Sequence, residues 1–146
     1  MTIKASTGLR TGVLVTGSMR SLLNGGTIRL FSGAAPADAD AAETGTLLCV
    51  ISLNSSGTGL TFEAAAPGGV LTKTESEVWS GVNSVSGTAT HYRHVGSADT
   101  HALSTTEPRL QGTVGTIGAD MNLSSTTLTS GATQTIDYCV VTLPTP

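Results

Sequence analysis

Aromatic and charged side chains are scarce in this chain. Phe, Trp and Tyr make up 3% of it and Asp, Glu, Lys and Arg 12%, where ordinary globular proteins carry roughly a quarter charged residues. The first shortage leaves no stacking platforms for single-stranded nucleic acid and few rings for a sugar-binding face. The second leaves no basic footprint: seven Lys and Arg against ten Asp and Glu give a net charge of −3, so nucleic acid is not an expected partner. No apolar run approaches the roughly 20 residues that cross a bilayer, and the N-terminus lacks the apolar core of a signal peptide. The expectation is a protein made in the cytoplasm, with no membrane partner.

Cysteine is nearly missing as well. Cys49 and Cys139 each sit in an apolar, β-like run, where a small buried thiol ordinarily goes. Reduced core thiols are the expected state; a bridge stays open and requires a Cα separation below about 7 Å. At 146 residues the chain can bury a core without disulfides or metals. Thr, Ser, Gly and Ala fill the places that Lys and Glu usually occupy, and such a surface is often partly covered by neighbours.

What is present divides at residue 25. Over residues 7–23, Leu9, Val13, Thr16, Arg20 and Leu23 recur near helical spacing, Ser6 or Thr7 can cap the start and Gly25-Gly26 can end it. Gly12 and Gly17 weaken the helix, and Thr16-Gly17-Ser18 reads as a break with Ser18 capping a second piece. This predicts an N-terminal helical segment or arm over 1–25, followed by a β domain over 26–146. The arm is apolar yet weakly self-stabilising, so it must pack on the β core or on another subunit. Its apolar side chains Leu9, Val13, Met19, Leu22 and Leu23 are the expected subunit contacts, and the arm is expected to be removable without unfolding the β core.

From Thr27 on the pattern is β. Residues 27–31 alternate, with Ile28 and Leu30 on one face and Arg29 and Phe31 on the other. Residues 34–45 read as an exposed acidic loop. Residues 46–53 and 133–143 are apolar strands, the second the expected central strand, pairing or packing with the first. Short strands are expected around 60–64 and 70–73. The runs 75–82 and 88–95 are expected to pair as a hairpin through 83–87. Residues 97–108 read as a polar surface loop, the most variable in conformation, before strands resume at Arg109. Short strands at this spacing indicate a mainly β fold, an antiparallel β-sandwich or jelly-roll-like domain with one or two short N-terminal helices.

Chemistry is hard to find. Serine is abundant, but no G-x-S-x-G elbow occurs and the bases are limited to His91, His94 and His101. His91 and His94 lie three apart in a strand and point to opposite faces, so they do not share a metal. Asp99 and His101 can share a face but do not make a site. Asp38, Asp40 and Glu43 loosely echo a calcium loop without its glycine or its bidentate Glu. Glu63, Glu75, Glu77 and Glu107 offer carboxylates, of which Glu75 and Glu77 are expected in solvent. The glycines of 112–118 lack the GxGxxG order and a following helix. The expectation is no enzyme, no cofactor and no metal.

Several segments carry a resemblance. Gly25-Gly-Thr-Ile-Arg-Leu-Phe-Ser-Gly33 with the Ala- and Asp-rich stretch to Leu48, Val78-Trp-Ser-Gly-Val82, Gly112-Thr-Val-Gly-Thr-Ile-Gly-Ala-Asp-Met-Asn-Leu123 and the closing residues 135–144 resemble the small structural proteins of tailed bacteriophage virions. The similarity runs through most of the chain from residue 7. One departure is Thr90-His-Tyr-Arg93, which has a single aromatic where the family often has a pair. The resemblance implies a virion location after assembly in the bacterial cytoplasm. It implies a capsid decoration (cement) protein that binds itself as a homo-oligomer and the major capsid protein or another virion protein. The alternatives are a collar, head–tail joining or tail-associated protein and, from another class, a host-binding fiber-type module whose loop 97–108 would hold the site.

Overall fold

In the computed structural model, which describes residues 3–142, the N-terminal stretch breaks where its glycines and serines allow. A two-residue strand, Lys4–Ala5 (β1), precedes helix Thr7–Thr11 (α1). The Ser6 hydroxyl accepts from Leu9 N at 3.1 Å, the ordinary N-cap bond. The helix widens into a π-helical turn, Gly12–Thr16, which stops at Gly17. Ser18 then caps helix Met19–Leu23 (α2) through a reciprocal box with Ser21. Gly25, at φ 80°, takes the chain out of α2 in the left-handed conformation that favours glycine.

The remaining strands are Thr27–Ser32 (β2), Thr46–Leu53 (β3), Val70–Thr72 (β4), Trp79–Val82 (β5), Gly87–Thr88 (β6), His91–Val95 (β7), Arg109–Gly115 (β8), Met121–Asn122 (β9), Thr127–Leu128 (β10), Thr133–Ile136 (β11) and Val140–Thr142 (β12). The large sheet runs β1-β8-β7-β2-β3-β5-β11, antiparallel along this path, with β9 parallel to β8 at one side. Two small pairs, β6 with β10 and β4 with β12, complete a mainly β, sandwich-like fold.

Register assigns the two faces of the sheet. Ile28 lies opposite His94 and Ile51, Leu30 opposite Tyr92 and Cys49, and His94 opposite Leu110. Cross-strand partners share a face. These residues, with Leu9, Leu23, Leu60, Phe62, Trp79, Leu123 and Ile136, form the buried apolar core. On the other face Arg29 lies opposite Arg93 and Arg93 opposite Gln111, while Val95 lies opposite Arg109. Arg93, Arg109 and Gln111 are all buried, so this second face is polar and covered.

Three expectations need correction. The segment 133–143 is not a central strand: β11 closes one edge of the sheet beside β5, and β12 pairs with β4. Exposed Asp137 and Tyr138 interrupt the run, and its upstream half buries only Ile136. Residue 143 and the closing 144 lie outside the described residues, as do residues 1–2. Strand β2 holds the middle position instead. The expected hairpin between 75–82 and 88–95 does not form, because β2 and β3 lie between β5 and β7. The loops 34–45 and 97–108 lie at the surface as expected, with backbone carbonyls and acids pinned to the polar face, as described below. The N-terminal segment is not an arm: β1 joins β8, and Leu9 and Leu23, 1% and 0% exposed, belong to the common core.

Candidate functional site

The polar face of the sheet is built from alternate positions of β2, β7 and β8, whose pleat aims Arg29, Arg93, Arg109 and Gln111 to one side. Arg109 donates from Nε and Nη2 to the Asp99 carboxylate at 2.6 and 3.1 Å. Its Nη2 also reaches the Glu107 carboxylate, and the Ala102 carbonyl at 2.7 Å. Nη1 bonds the carbonyls of Asp40 and Ala41 at 3.2 and 3.3 Å. Arg93 donates to the Ala41 carbonyl at 2.8 Å and to Gln111 Oε1 at 2.6 Å, and Gln111 Nε2 donates to the Pro36 carbonyl at 2.9 Å. Arg29 makes a bidentate pair with Glu43 at 2.8 and 2.9 Å. Two guanidiniums thus act as brackets that hold the carbonyls of loop 34–45 and the acids of loop 97–107 against the sheet.

Burial alone would lower the Arg109 pKa, but Asp99 and Glu107 hold it above its ordinary value. Arg93 has no carboxylate bonded to it, and burial together with neighbouring Arg109 lowers its pKa. Both remain charged at neutral pH.

The acids once considered for calcium are engaged in this bracing. Asp40 accepts from Thr7 N and Oγ1 at 2.7 and 2.6 Å, and the hydroxyl bond keeps its carboxyl below the usual range. Asp38 accepts from Ala41 N at 2.8 Å. Glu43 serves Arg29 and lies 3.2 Å from His101 Nδ1. Asp99 and His101, expected on one face, do meet at 3.3 Å, with Asp99 committed to Arg109. Among the described residues no three His, Cys, Asp or Glu side chains gather in a metal-binding arrangement.

His91 and His94 fall on opposite faces, as the strand period predicts, and both are buried. His91 stacks on Phe31 at 5.1 Å, and burial lowers its pKa. His94 stacks on Phe62 at 5.6 Å and meets the edge of Trp79 at 6.3 Å; burial pushes it down to about 4 against the opposing pull of the Leu23 carbonyl. Glu75 is exposed, but Glu77 is not the solvated acid expected. It accepts from Thr61 N at 3.0 Å, Thr61 Oγ1 at 2.6 Å and Trp79 Nε1 at 2.7 Å. Burial would raise its pKa, and these bonds lower it on balance. Glu63 accepts from Glu75 N at 2.8 Å. The glycines of 112–118 belong to β8 and the turn after it. Cys49 and Cys139 are free thiols, each pushed up to about 11 by burial.

On the apolar face a cavity of about 670 Å³ is lined by β2, β7 and β8 on one side and by residues 120–124 and 135–142 on the other. Ile28, Leu110, Leu123, Ile136 and Val141 supply apolar wall, and Tyr92, His94, Asp120 and Cys139 the polar groups.

The expected subunit contacts separate into two sets. Leu9 and Leu23 lie inside the core, and Val13, Met19 and Leu22 are half-buried against it. The apolar side chains the N-terminal segment exposes most are Leu14 and Val15, 83% and 76% exposed, with Ile3 at 44%. Leu14 and Val15 sit on the π-helical turn after α1, five and six residues beyond Leu9 and so well round the helix from it. Leu103, Ile117 and Tyr138 are likewise exposed. The Arg93–Arg109–Gln111 array escaped sequence reasoning, although an arginine inside an apolar strand was its signal. No protein-family model matches the chain. Neither a curated protein nor a solved structure matches it.

Proposed function

We propose that this chain is a structural protein of a tailed-bacteriophage virion, a capsid decoration protein that sits as a homo-oligomer on the outer surface of the major capsid lattice. The observation that carries this reading is the exposed pair Leu14 and Val15 on a helical turn anchored at both ends. Two adjacent aliphatic side chains held in solvent by a fixed backbone suit a contact that buries them, at roughly 1.5–3 kcal/mol for each fully buried side chain. Repetition over many copies multiplies a small contact of this kind. The low surface charge and the engagement of arginines and acids in loop bracing support a role in packing over one in catalysis. The resemblance of the segments around residues 25–48, 78–82 and 112–123 to phage virion proteins supports the same role. The Leu14–Val15 turn takes the place of the buried leucines as the contact element.

Copy number tests the reading. Quantitative gel analysis of purified particles is expected to give hundreds of copies per virion. A few to a dozen copies would replace decoration with a collar or head–tail joining ring. Leu14→Asp with Val15→Asp is expected to cut incorporation roughly tenfold or more, equivalent to at least ~1.4 kcal/mol, with an unchanged circular dichroism spectrum. Full incorporation of the double variant would remove this turn as the seat.

A further inference from the structure

The cavity on the apolar face lies apart from the Leu14–Val15 turn, neither residue of which lines it. Its volume, about 670 Å³, falls in the range of about 300–1,000 Å³ in which proteins hold small molecules. The charge on its wall is of one sign. Among the described residues that line it, Asp120 and Asp137 are acidic and none is Lys or Arg, while His94, pushed down to about 4 by burial, is neutral at pH 7. An anion entering the cavity would lose its hydration and gain no counter-charge. A cation gains one.

Asp120 and Tyr92 bring convergent oxygens to this wall. Asp120 Oδ2 accepts from Thr113 N and Oγ1 at 2.9 Å each, which fixes the carboxylate, and its Oδ1 accepts no bond among the described residues. Tyr92 is 4% exposed, and its hydroxyl has no hydrogen-bond partner among the described residues. A buried tyrosine hydroxyl usually has one. Burial, with Cys139 and Asp120 beside it, raises the Tyr92 pKa, so the side chain stays a neutral phenol. Glycine at position 112 lets the two side chains approach: a Cβ there would come within 2.7 Å of the Tyr92 ring edge and 2.9 Å of Asp120 Cβ. Asp137 and Tyr138 line the cavity and are exposed, so it opens to solvent on their side.

We infer that this cavity binds a primary alkylammonium ion, the ammonium donating to Asp120 Oδ1 and to the Tyr92 hydroxyl oxygen while the hydrocarbon chain lies against Leu110, Leu123 and Ile136. An ammonium carries three donors, enough for both oxygens and a water at the mouth. Its bond to the carboxylate is charge-assisted and so stronger than a neutral one. An alcohol of the same length fits the apolar wall but forgoes the ion pair.

The full chain is titrated with octylamine at pH 7 and followed by calorimetry, with 1-octanol, octyltrimethylammonium and octanoate as counterparts. The expected result is saturable one-to-one binding of octylamine. 1-Octanol, which lacks the charge, and octyltrimethylammonium, which has no N–H to donate, are each expected to bind at least about fivefold more weakly, and octanoate at least about tenfold. Asp120→Asn keeps an oxygen for Thr113 N and removes the charge; it is expected to weaken octylamine about tenfold and to leave 1-octanol unchanged. Tyr92→Phe keeps the ring and is expected to weaken octylamine about threefold, and it carries the test if the Asp120 variant does not fold. Leu123→Trp fills the cavity and is expected to abolish binding; if that variant does not fold, Val141→Trp makes the same test from another wall. Any of four results would overturn the inference: no saturable response to octylamine, equal or tighter binding of a counterpart, full octylamine affinity in the Asp120 or Tyr92 variant, or octylamine binding that survives cavity filling.

Discussion

Replacing Arg109 by methionine probes the bracket that holds two loops on the sheet. The side chain is 0% exposed, and so is the carboxylate of Asp99 that it pairs with. Methionine fills much of the same space, so the perturbation is electrical more than steric. It strips the Asp99 carboxylate of both its guanidinium bonds, frees Glu107, and removes the donor from the carbonyls of Asp40, Ala41 and Ala102. Removing one partner of a buried ion pair costs about 3–5 kcal/mol, because the other charge stays behind uncompensated. At roughly 2–4 °C per kcal/mol for a chain of this size, Tm is expected to fall by roughly 6–20 °C. Calorimetry measures that fall, and hydrogen exchange is expected to show loops 34–45 and 97–107 losing protection before β2 and β7. Adding Asp99→Asn removes the stranded charge and is expected to restore part of the loss, a coupling that a double-mutant cycle reads directly. A Tm loss under about 2 °C with both loops still protected would refute the bracket as the cause of their order.

The same structure sets further expectations. His94 titrates near 4 in the fold and near 6.5 unfolded, so the unfolded chain binds the extra proton between these values. Stability is full above about pH 6.5 and falls toward pH 4, by roughly 3 kcal/mol for this group. His91, lowered by burial, acts in the same direction. Urea unfolding at pH 7 and pH 4.5 is expected to show the drop, and His94→Phe to flatten it; an unchanged slope in that variant would assign the drop elsewhere. Asp40 and Glu77, whose carboxyls are held low, contribute stability present above their unfolded values of 3.8 and 4.5 and lost as pH falls below them, so they add to the drop only at the acid end of this window. Gly81→Ala places a Cβ on the Val50 carbonyl and within 2.8 Å of Cys49 Sγ, so unfolding free energy is expected to fall by about 1–3 kcal/mol; an unchanged urea midpoint would refute that clash. Both thiols, held near 11 by burial, are expected to resist a disulfide reagent at pH 8 in the native protein and to react on denaturation. Rapid native labelling of Cys49 would contradict its place in the core.

Local rules account for the parts of the fold that were legible in the sequence. Ser6, Ser18 and Gly25 mark helix boundaries through short-range bonds and backbone freedom, and the alternation of Ile28, Arg29, Leu30 and Phe31 assigns their faces in β2. Long-range choices were not legible. Whether β5 pairs with β7 or with β3 depends on which strands intervene, and a hairpin-sized loop at 83–87 gave no sign that β2 and β3 fill the gap. Residues 133–143 looked central because Ile, Val and Leu cluster there. An edge strand and a central one differ in neighbours, not in composition, and only Asp137-Tyr138 hinted at the break. The candidate cavity was invisible for the same reason: Tyr92, His94, Asp120 and Cys139 come from distant parts of the chain.

The scarcity of charge takes on a different meaning once its location is known. Of the seven Lys and Arg in the chain, Arg93 and Arg109 are buried and Arg29 is mostly covered in its pair with Glu43. The acids that answer them, Asp99, Glu107 and Glu43, are drawn onto the same face. The exterior is therefore poorer in free charge than the composition indicates, and its polarity comes mainly from hydroxyls and backbone. Such a surface has little long-range repulsion to keep copies apart, and an adjacent partner desolvates few ions on contact. Loops pinned by arginine brackets lose little entropy when a neighbour covers them. All three effects lower the cost of close packing in an assembly, and they arise from the interior network that an inspection for active sites passes over.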